Sequence, residues 1–205
     1  MKSPSPNLCV GIAGGSCSGK STLESGLREQ LGSGVSLVSF DDFFVGLKAL
    51  NGVEVDNWDD PKLYRFDEYG ATLSQLRDGQ SAHFEPHSSE SKAEGISMRV
   101  IEPSPLIIAT GFLALHDQEV NKLFDVIIFI NLPEKEIVRR RLARAALRQP
   151  GPWNSDAYIN ETLIPSHRRF IQPQAEIADY LIDGQLSRAQ ICGQVLGIID
   201  SLTNV

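Results

Sequence analysis

Gly14-Gly15-Ser16-Cys17-Ser18-Gly19-Lys20-Ser21-Thr22 fits the phosphate-binding pattern Gly-x4-Gly-Lys-[Ser/Thr], and the residues on either side decide what the pattern means. Ahead of it, Leu8-Cys9-Val10-Gly11-Ile12-Ala13 is a short apolar run suited to a buried parallel strand. Behind it, Leu23, Leu27 and Leu31 recur every fourth residue, and Gly32 offers a helix stop. The glycine-rich stretch therefore lies where a strand ends and a helix begins. Polyphosphate needs backbone N–H donors wrapped closely around it with no Cβ atoms in the way, and a helix N-terminus turns its partial positive charge on the anion. In such a loop Lys20 reaches the β- and γ-phosphates and the Ser21 hydroxyl ligates Mg2+. A chance match is on the order of one in a hundred at average composition, so a plain glycine turn with a solvated lysine is the weaker reading. Gly14, Gly15, Ser16, Cys17, Ser18, Gly19, Lys20, Ser21 and Thr22 are the candidate nucleotide-binding residues.

The 205 residues, 41% of them hydrophobic, suffice for one good core, so a single α/β domain over 1–205 is expected. A net charge of -7 argues against a nucleic-acid partner while leaving room for a local basic pocket. Cys9, Cys17 and Cys192 are widely spaced and odd in number, which supports neither a disulfide framework nor a zinc site and fits a reducing cytoplasm. Met1 to Asn7 lacks the pattern of a signal peptide, and no apolar run approaches a membrane span. Self-association is left open.

Val35 to Phe40 reads as a second strand ending at Asp41-Asp42-Phe43-Phe44, and carboxylates at the C-terminal end of such a strand stand where open α/β sheets bind ligands. Either Asp can serve as a base or a Mg2+ partner; a turn or cap role is as good on these residues alone. Val45 to Asp60 reads as a surface loop carrying Asn57-Trp58-Asp59-Asp60-Pro61. There a flat ring can stack on a base or sugar beside a carboxylate, or fold back on the core. Tyr64 to Leu76 reads as a helix stopped by Gly79, and Ser81 to Pro103 as two edge strands around a turn, a candidate flap over about 81–103 in which His83 and His87 have no partner at ligand spacing.

Pro105 to Ala109 and Phe124 to Ile130 are the next buried strands, and Thr110 stands where a Mg2+-side acid often follows such a strand. Pro133 opens a helix with Arg140, Arg144 and Arg148 at steps of four and Arg139 and Arg141 beside them. These five arginines make either a concentrated positive field or a salt-bridged surface helix. Gln149-Pro150-Gly151-Pro152 breaks that helix, a second restarts near Ser155, and the pair outlines a lid over about 139–160. Pro165 and Pro173 interrupt the next helix, Ala178 to Ile182 supplies a fifth strand, and a terminal helix from about Ser187 carries Ile191, Val195, Ile198, Ile199 and Leu202 on its apolar face. There is no internal repeat.

Taken in order, the glycine-rich loop, Ser39-Phe40-Asp41-Asp42-Phe43-Phe44, Asn57-Trp58-Asp59-Asp60-Pro61, Leu106 to Leu113 and Arg139-Arg140-Arg141-Leu142 resemble the uridine kinase and phosphoribulokinase family, including its nicotinamide riboside kinase-like members. The resemblance covers about Leu8 to Asp183. It implies a three-layer P-loop fold with a five-stranded parallel sheet, lid and small β flap, and transfer of the γ-phosphoryl of ATP, with Mg2+, to a 5′-hydroxyl. On the family's pattern Asp41 orients or deprotonates the acceptor and joins Ser21 on the metal side. Asp59 holds ribose hydroxyls with Trp58 alongside. Arg140, Arg144 and Arg148 belong to the lid, the first two toward the transferring group and the third toward the nucleotide. Two departures stand out. The family's glutamate before Gly111 is Thr110, which leaves that carboxylate absent or supplied by Asp42. The flap's Pro-x-Tyr-Asp is Pro86-His87-Ser88-Ser89. A small-molecule kinase, most readily a nucleoside kinase, is the leading reading. A nucleotide-binding regulator with little turnover is motivated by Thr110, and a GTPase-like switch is weakest because Asn-Lys-x-Asp is missing.

Overall fold

Strand β1 (Leu8–Gly14) delivers the chain to the glycine-rich loop, and the rest of the sheet is laid down around it. The computed structural model describes residues 7–46, 57–86, 94–147 and 155–203. Among them the further strands are β2 (Val35–Ser39), β3 (Ala82–Phe84), β4 (Arg99–Ile101), β5 (Leu106–Gly111), β6 (Val126–Asn131) and β7 (Tyr180–Asp183). The main sheet has five parallel strands in the order β2-β5-β1-β6-β7, so β1 is central and its loop emerges from the middle of the C-terminal edge. Register brings Thr110 opposite both Ile12 and Ser39, and Gly14 opposite Ile130.

Alternation along each strand splits the core in two. Cys9, Ala13, Ile107, Ala109 and Phe129 face one side, where α2 (Phe66–Arg77) adds Tyr69, Leu73 and Leu76 and the short α3 (Gln118–Asn121) adds Val120. Val10, Ile12, Ile108, Ile128 and Ile130 face the other, covered by Leu23 and Leu27 of α1 (Lys20–Leu31) and, beyond α4 (Glu134–Ala146), by Ile191, Val195 and Ile199 of α5 (Arg188–Thr203). Each such side chain taken fully out of water contributes about 1.5–3 kcal/mol. The three-layer α/β architecture expected from the sequence is the one observed.

Details differ where local pattern and packing disagree. Among the described residues the flap strands β3 and β4 pair with each other, antiparallel with Ala82 opposite Ile101, and make a separate two-stranded sheet instead of edges of the main one. Helix α2 starts at Phe66, two residues later than read, because Pro61–Leu63 forms a 3-10 turn capped by Asp60 and Tyr64 bridges to Phe44. Pro165 does not interrupt the helix after Asp156. From Asp156 to Ile177 the chain stays helical, with wide π turns at Ile159–Leu163 and His167–Ile171 around Ile164–Ser166 and a tight 3-10 stretch at Gln172–Ile177. A proline ring clashes with the carbonyl four residues back and has no N–H to give it. Widening the turn removes both conflicts. No helix among the described residues is long and apolar enough to cross a membrane. The flap turn with His87, the loop at 47–56, Arg148 and the Gln149 to Pro152 break lie outside the described residues.

Candidate active site

The loop's backbone is set by two left-handed residues, Cys17 at φ 59° and Gly19 at φ 102°, of which the second stands as the N-cap of α1. No side chain caps that helix and no acid sits in its first turn, so its leading N–H groups are offered to an anion. Lys20 Nζ donates to Gly14 O at 2.7 Å, Gly15 O at 2.8 Å and Ser18 Oγ at 3.3 Å, which holds the ammonium across the loop. Burial lowers the Lys20 pKa; the carboxylates of Asp41, then Glu24, oppose that fall, with Asp59 adding a smaller push. Three carboxylates thus converge electrostatically on the loop lysine. Ser21 and Thr22 are exposed at the same helix start.

Asp41 and Asp42 part company. Both lie in the 3-10 turn Phe40–Phe43 that follows β2, but Asp41 is exposed toward Lys20 whereas the Asp42 side chain is buried and paired with Arg99 of β4 at 2.9 Å. Of the two expectations for the missing glutamate, supply by Asp42 is disfavoured for this reason: its charge is engaged by Arg99 of the flap. Thr110, buried at the end of β5, instead donates its hydroxyl to Glu24 Oε1, so a carboxylate from α1 arrives where the strand carries none.

The segment 57–60 is pinned from several sides. Asn57 Nδ2 donates to Ser166 Oγ at 2.7 Å and its Oδ1 accepts from Asp59 N at 3.0 Å; Tyr64 Oη donates to Trp58 O at 3.0 Å; Asp60 accepts from Lys62 N at 2.9 Å. The Trp58 ring stacks on Phe44 with centroids 4.9 Å apart, so that face of the indole belongs to the core and stacking on a ligand is left to the other. Asp59 is pushed up to about 6 by burial, against the pull of Arg141 and Lys20 and with a further push from Asp41. Its Oδ2 is buried without a hydrogen-bond partner among the described residues. A carboxylate oxygen held so is costly unless something donates to it.

Of the arginines, Arg140 does reach the loop. Its Nη1 donates to Cys17 O at 3.2 Å and Gly184 O at 2.9 Å, while its Nε donates to Glu136 at 2.8 Å. It braces the loop against the turn after β7. Arg144 is exposed in the last turn of α4, and Arg148 is outside the described residues. The arginine turned toward Asp59 is Arg141, whose Nη1 also donates to Ser16 Oγ at 3.4 Å. Sequence reading passed over it because steps of four pick out a face without saying which face turns in. Ile137, the buried residue of α4, carried that signal, since Arg141 lies four residues on.

Tyr158 and His167 were missed altogether. The Tyr158 phenol is raised to about 12, chiefly by burial and then by Asp59, with a Trp58 backbone bond and Arg141 opposing; it stands neutral beside that carboxylate. The buried His167 ring lies against Gly15, where a Cβ would meet Cε1 at 2.8 Å, and its Nε2 is 3.2 Å from Gln172 Oε1. Burial lowers its pKa and keeps it neutral behind the loop. Neither residue sits in a recognisable pattern, and the placement of His167 depends on the helical path past Pro165.

A cleft of about 250 Å³ opens beside the loop between Cys17, Gly19, Thr22, Arg140, Leu186 and Arg188. A shallower hollow of about 330 Å³ at Tyr180–Ile182 and α5 has no charged lining and is remote from Lys20 in the sheet. For a metal, the available donors are hard oxygens, the Ser21 hydroxyl and the carboxylates around Lys20, which suit a Mg2+-like cation shared with phosphate oxygens. No group of three or more His, Cys, Asp or Glu among the described residues would hold a metal without such help.

A strand, a phosphate loop braced by arginine and converging carboxylates describe a phosphotransferase site, and comparison with known proteins gives it a family. The family model of the phosphoribulokinase / uridine kinase family matches residues 9–189. The chain belongs to that family. It is thereby an ATP-dependent P-loop kinase that phosphorylates a hydroxyl of a small molecule. Among curated proteins it is similar to the uridine kinase of Halobacterium salinarum, 26% identical over 181 residues that span 86% of this chain and 80% of that one. It is likewise similar to the uridine kinase of Chlamydia pneumoniae, 27% identical with 86% and 82% covered. In fold it is similar to a possible uridine kinase from Bacillus stearothermophilus, with TM-score 0.60, 19% identity and 89% and 91% covered. Phosphoribulokinase from Rhodobacter spheroides shares the fold at TM-score 0.62, 12% identity and 89% and 74% covered.

Proposed function

We propose that this kinase transfers the γ-phosphoryl group of ATP to the 5′-hydroxyl of a ribose-bearing acceptor, most readily a ribonucleoside. The observation that carries the reading is the Asp59 carboxylate, one oxygen of it buried and unpartnered, within electrostatic reach of Lys20, Asp41 and Arg141. A vicinal diol supplies the donors such an oxygen lacks, and Trp58 and Tyr158 give the pocket a flat wall and a polar rim. The uridine kinase relatives are consistent with a nucleoside at that place.

The phosphates lie on the N–H groups of the loop and α1, with Lys20 swinging from the Gly14 and Gly15 carbonyls to the β- and γ-oxygens. The base and ribose of ATP occupy the cleft beside Arg140, Leu186 and Arg188. Ser21 and, through water, the Asp41 carboxylate would hold Mg2+, which would offset the charge of the phosphates. Asp41 receives the proton of the acceptor hydroxyl as its oxygen bonds to the γ-phosphorus and the bond to the β,γ-bridging oxygen breaks, releasing ADP. Arg140 keeps the loop in shape; Arg144, in the proposed lid over about 139–160, brings positive charge to the phosphate side, and the flap strands β3 and β4, tied down by Arg99 and Asp42, flank the opposite side.

A coupled ADP assay with ribonucleosides, nicotinamide riboside and sugars tests the reading. ADP release that depends on a ribonucleoside supports it, release with nicotinamide riboside alone narrows the acceptor within the same chemistry, and a best acceptor without ribose overturns it.

A further inference from the structure

P-loop kinases commonly place an acid at the end of a strand beside the loop to hold the metal's water, with the loop hydroxyl as direct ligand. Strand β5, the neighbour of β1, ends in Thr110 and Gly111. Yet a carboxylate is present at that spot, and it comes from the helix. Glu24 lies three residues after Ser21 and four after Lys20, hence on the same face of α1 as both. Its Oε1 accepts the Thr110 hydroxyl, whose donor is buried at the sheet edge and cannot easily turn elsewhere. Of the other acids at this edge, Asp42 is engaged with Arg99 of the flap, while Asp41 and Asp59 face Lys20 from the acceptor's side.

Resting on the kinase reading above, we infer that Glu24, aimed by Thr110, is the metal-side carboxylate of this enzyme, which would hold a water of the Mg2+ that Ser21 ligates. It is a positioning residue, acting on the metal through that water. The arrangement moves the acid from a strand end to the first turns of α1, and the threonine becomes its orienting donor. A protein whose strand end lacks the acid therefore keeps the charge.

Binding of the non-hydrolysable β,γ-imido analogue of ATP, measured by titration calorimetry over a Mg2+ series, tests this without turnover. Glu24→Gln should raise the Mg2+ concentration at half-maximal analogue affinity roughly tenfold, the scale on which outer ligands of a metal act. Its affinity for the analogue in EDTA should stay equal or improve, because a negative charge near the phosphates is gone. Thr110→Val, which removes only the hydroxyl, should move the midpoint the same way by a smaller factor, and Glu24→Gln combined with Thr110→Glu should restore it. A Mg2+ midpoint in folded Glu24→Gln within twofold of wild type overturns the inference. Should that variant fail to fold, an unmoved midpoint in Thr110→Val does the same. Wild type that binds no analogue at any Mg2+ concentration overturns the kinase reading itself and this inference with it.

Discussion

Gly14 to Thr22 and the surroundings of Asp59 sit at the same sheet edge but are built in opposite ways. The phosphate side takes its donors from consecutive residues, their directions set by Cys17, Gly19 and the start of α1. The side proposed for the acceptor assembles Asp59, Arg141, Tyr158 and Asp41 from segments far apart in the chain, pinned by Asn57 to Ser166 and Tyr64 to Trp58. A site made of local backbone tolerates drift in the rest of the fold. One made of distant side chains changes whenever a helix turns, and that is where members of a kinase family can diverge in acceptor while sharing a phosphate loop.

The sharpest break between the two sides comes from Lys20→Ala. Its charge is needed most where negative charge crowds in the transition state, so turnover should fall by several powers of ten, with a far-ultraviolet circular dichroism spectrum unchanged. A folded variant with near wild-type turnover would remove the phosphate side from the chemistry. Asp59→Ala addresses the other side. It should lower kcat/KM for a ribonucleoside by roughly a hundredfold or more, since the diol then loses a buried acceptor, while nucleotide affinity measured by calorimetry holds.

Arg141 and Arg144 sharpen the comparison within one helix. Arg141→Ala should cost roughly tenfold in kcat/KM for the acceptor, and Arg144→Ala should act on ATP turnover without moving the acceptor KM. Equal effects of the two on acceptor KM would mean that Arg141 is not the arginine of α4 that serves the acceptor. The smallest effect is a pH dependence. Burial holds Asp59 at about 6, so between the ordinary carboxylate range and that value the folded protein keeps a proton the unfolded chain has lost. Stability owed to the neutral form is lost as pH rises through this window, and acceptor binding through the charged form is gained. Acceptor kcat/KM should therefore fall below about pH 6. Arg141→Ala should move that limb upward, because its guanidinium favours the carboxylate, and Asp59→Asn should abolish it.

How much of this the sequence disclosed follows the same division. The loop, β1, α1 and the order of strands were legible because a glycine spacing and an apolar period are local facts. Asp41 and Asp59 were legible by resemblance, but the opposite fates of Asp41 and Asp42 depend on which way a 3-10 turn after β2 rolls, with Arg99 arriving from β4. Arg141 was hidden because the arginine spacing alone does not fix the rotation of α4. Glu24 was hidden because its partner Thr110 is 86 residues away, Tyr158 because its partner Asp59 comes from a distant segment, and His167 because π turns carry the chain through Pro165 where a break is the simpler expectation.

The central claim is that a buried Asp59 oxygen on the acceptor side reads a ribose diol for a phosphate side that is otherwise generic. Acceptor-dependent ADP release, compared for a ribonucleoside and its 2′-deoxy analogue in wild type and in Asp59→Ala, tests it most directly. The account predicts that wild type strongly prefers the ribonucleoside and that Asp59→Ala erases the preference by slowing the ribonucleoside far more than the deoxy analogue. Equal rates for the two acceptors in wild type, or an intact preference in Asp59→Ala, would contradict it.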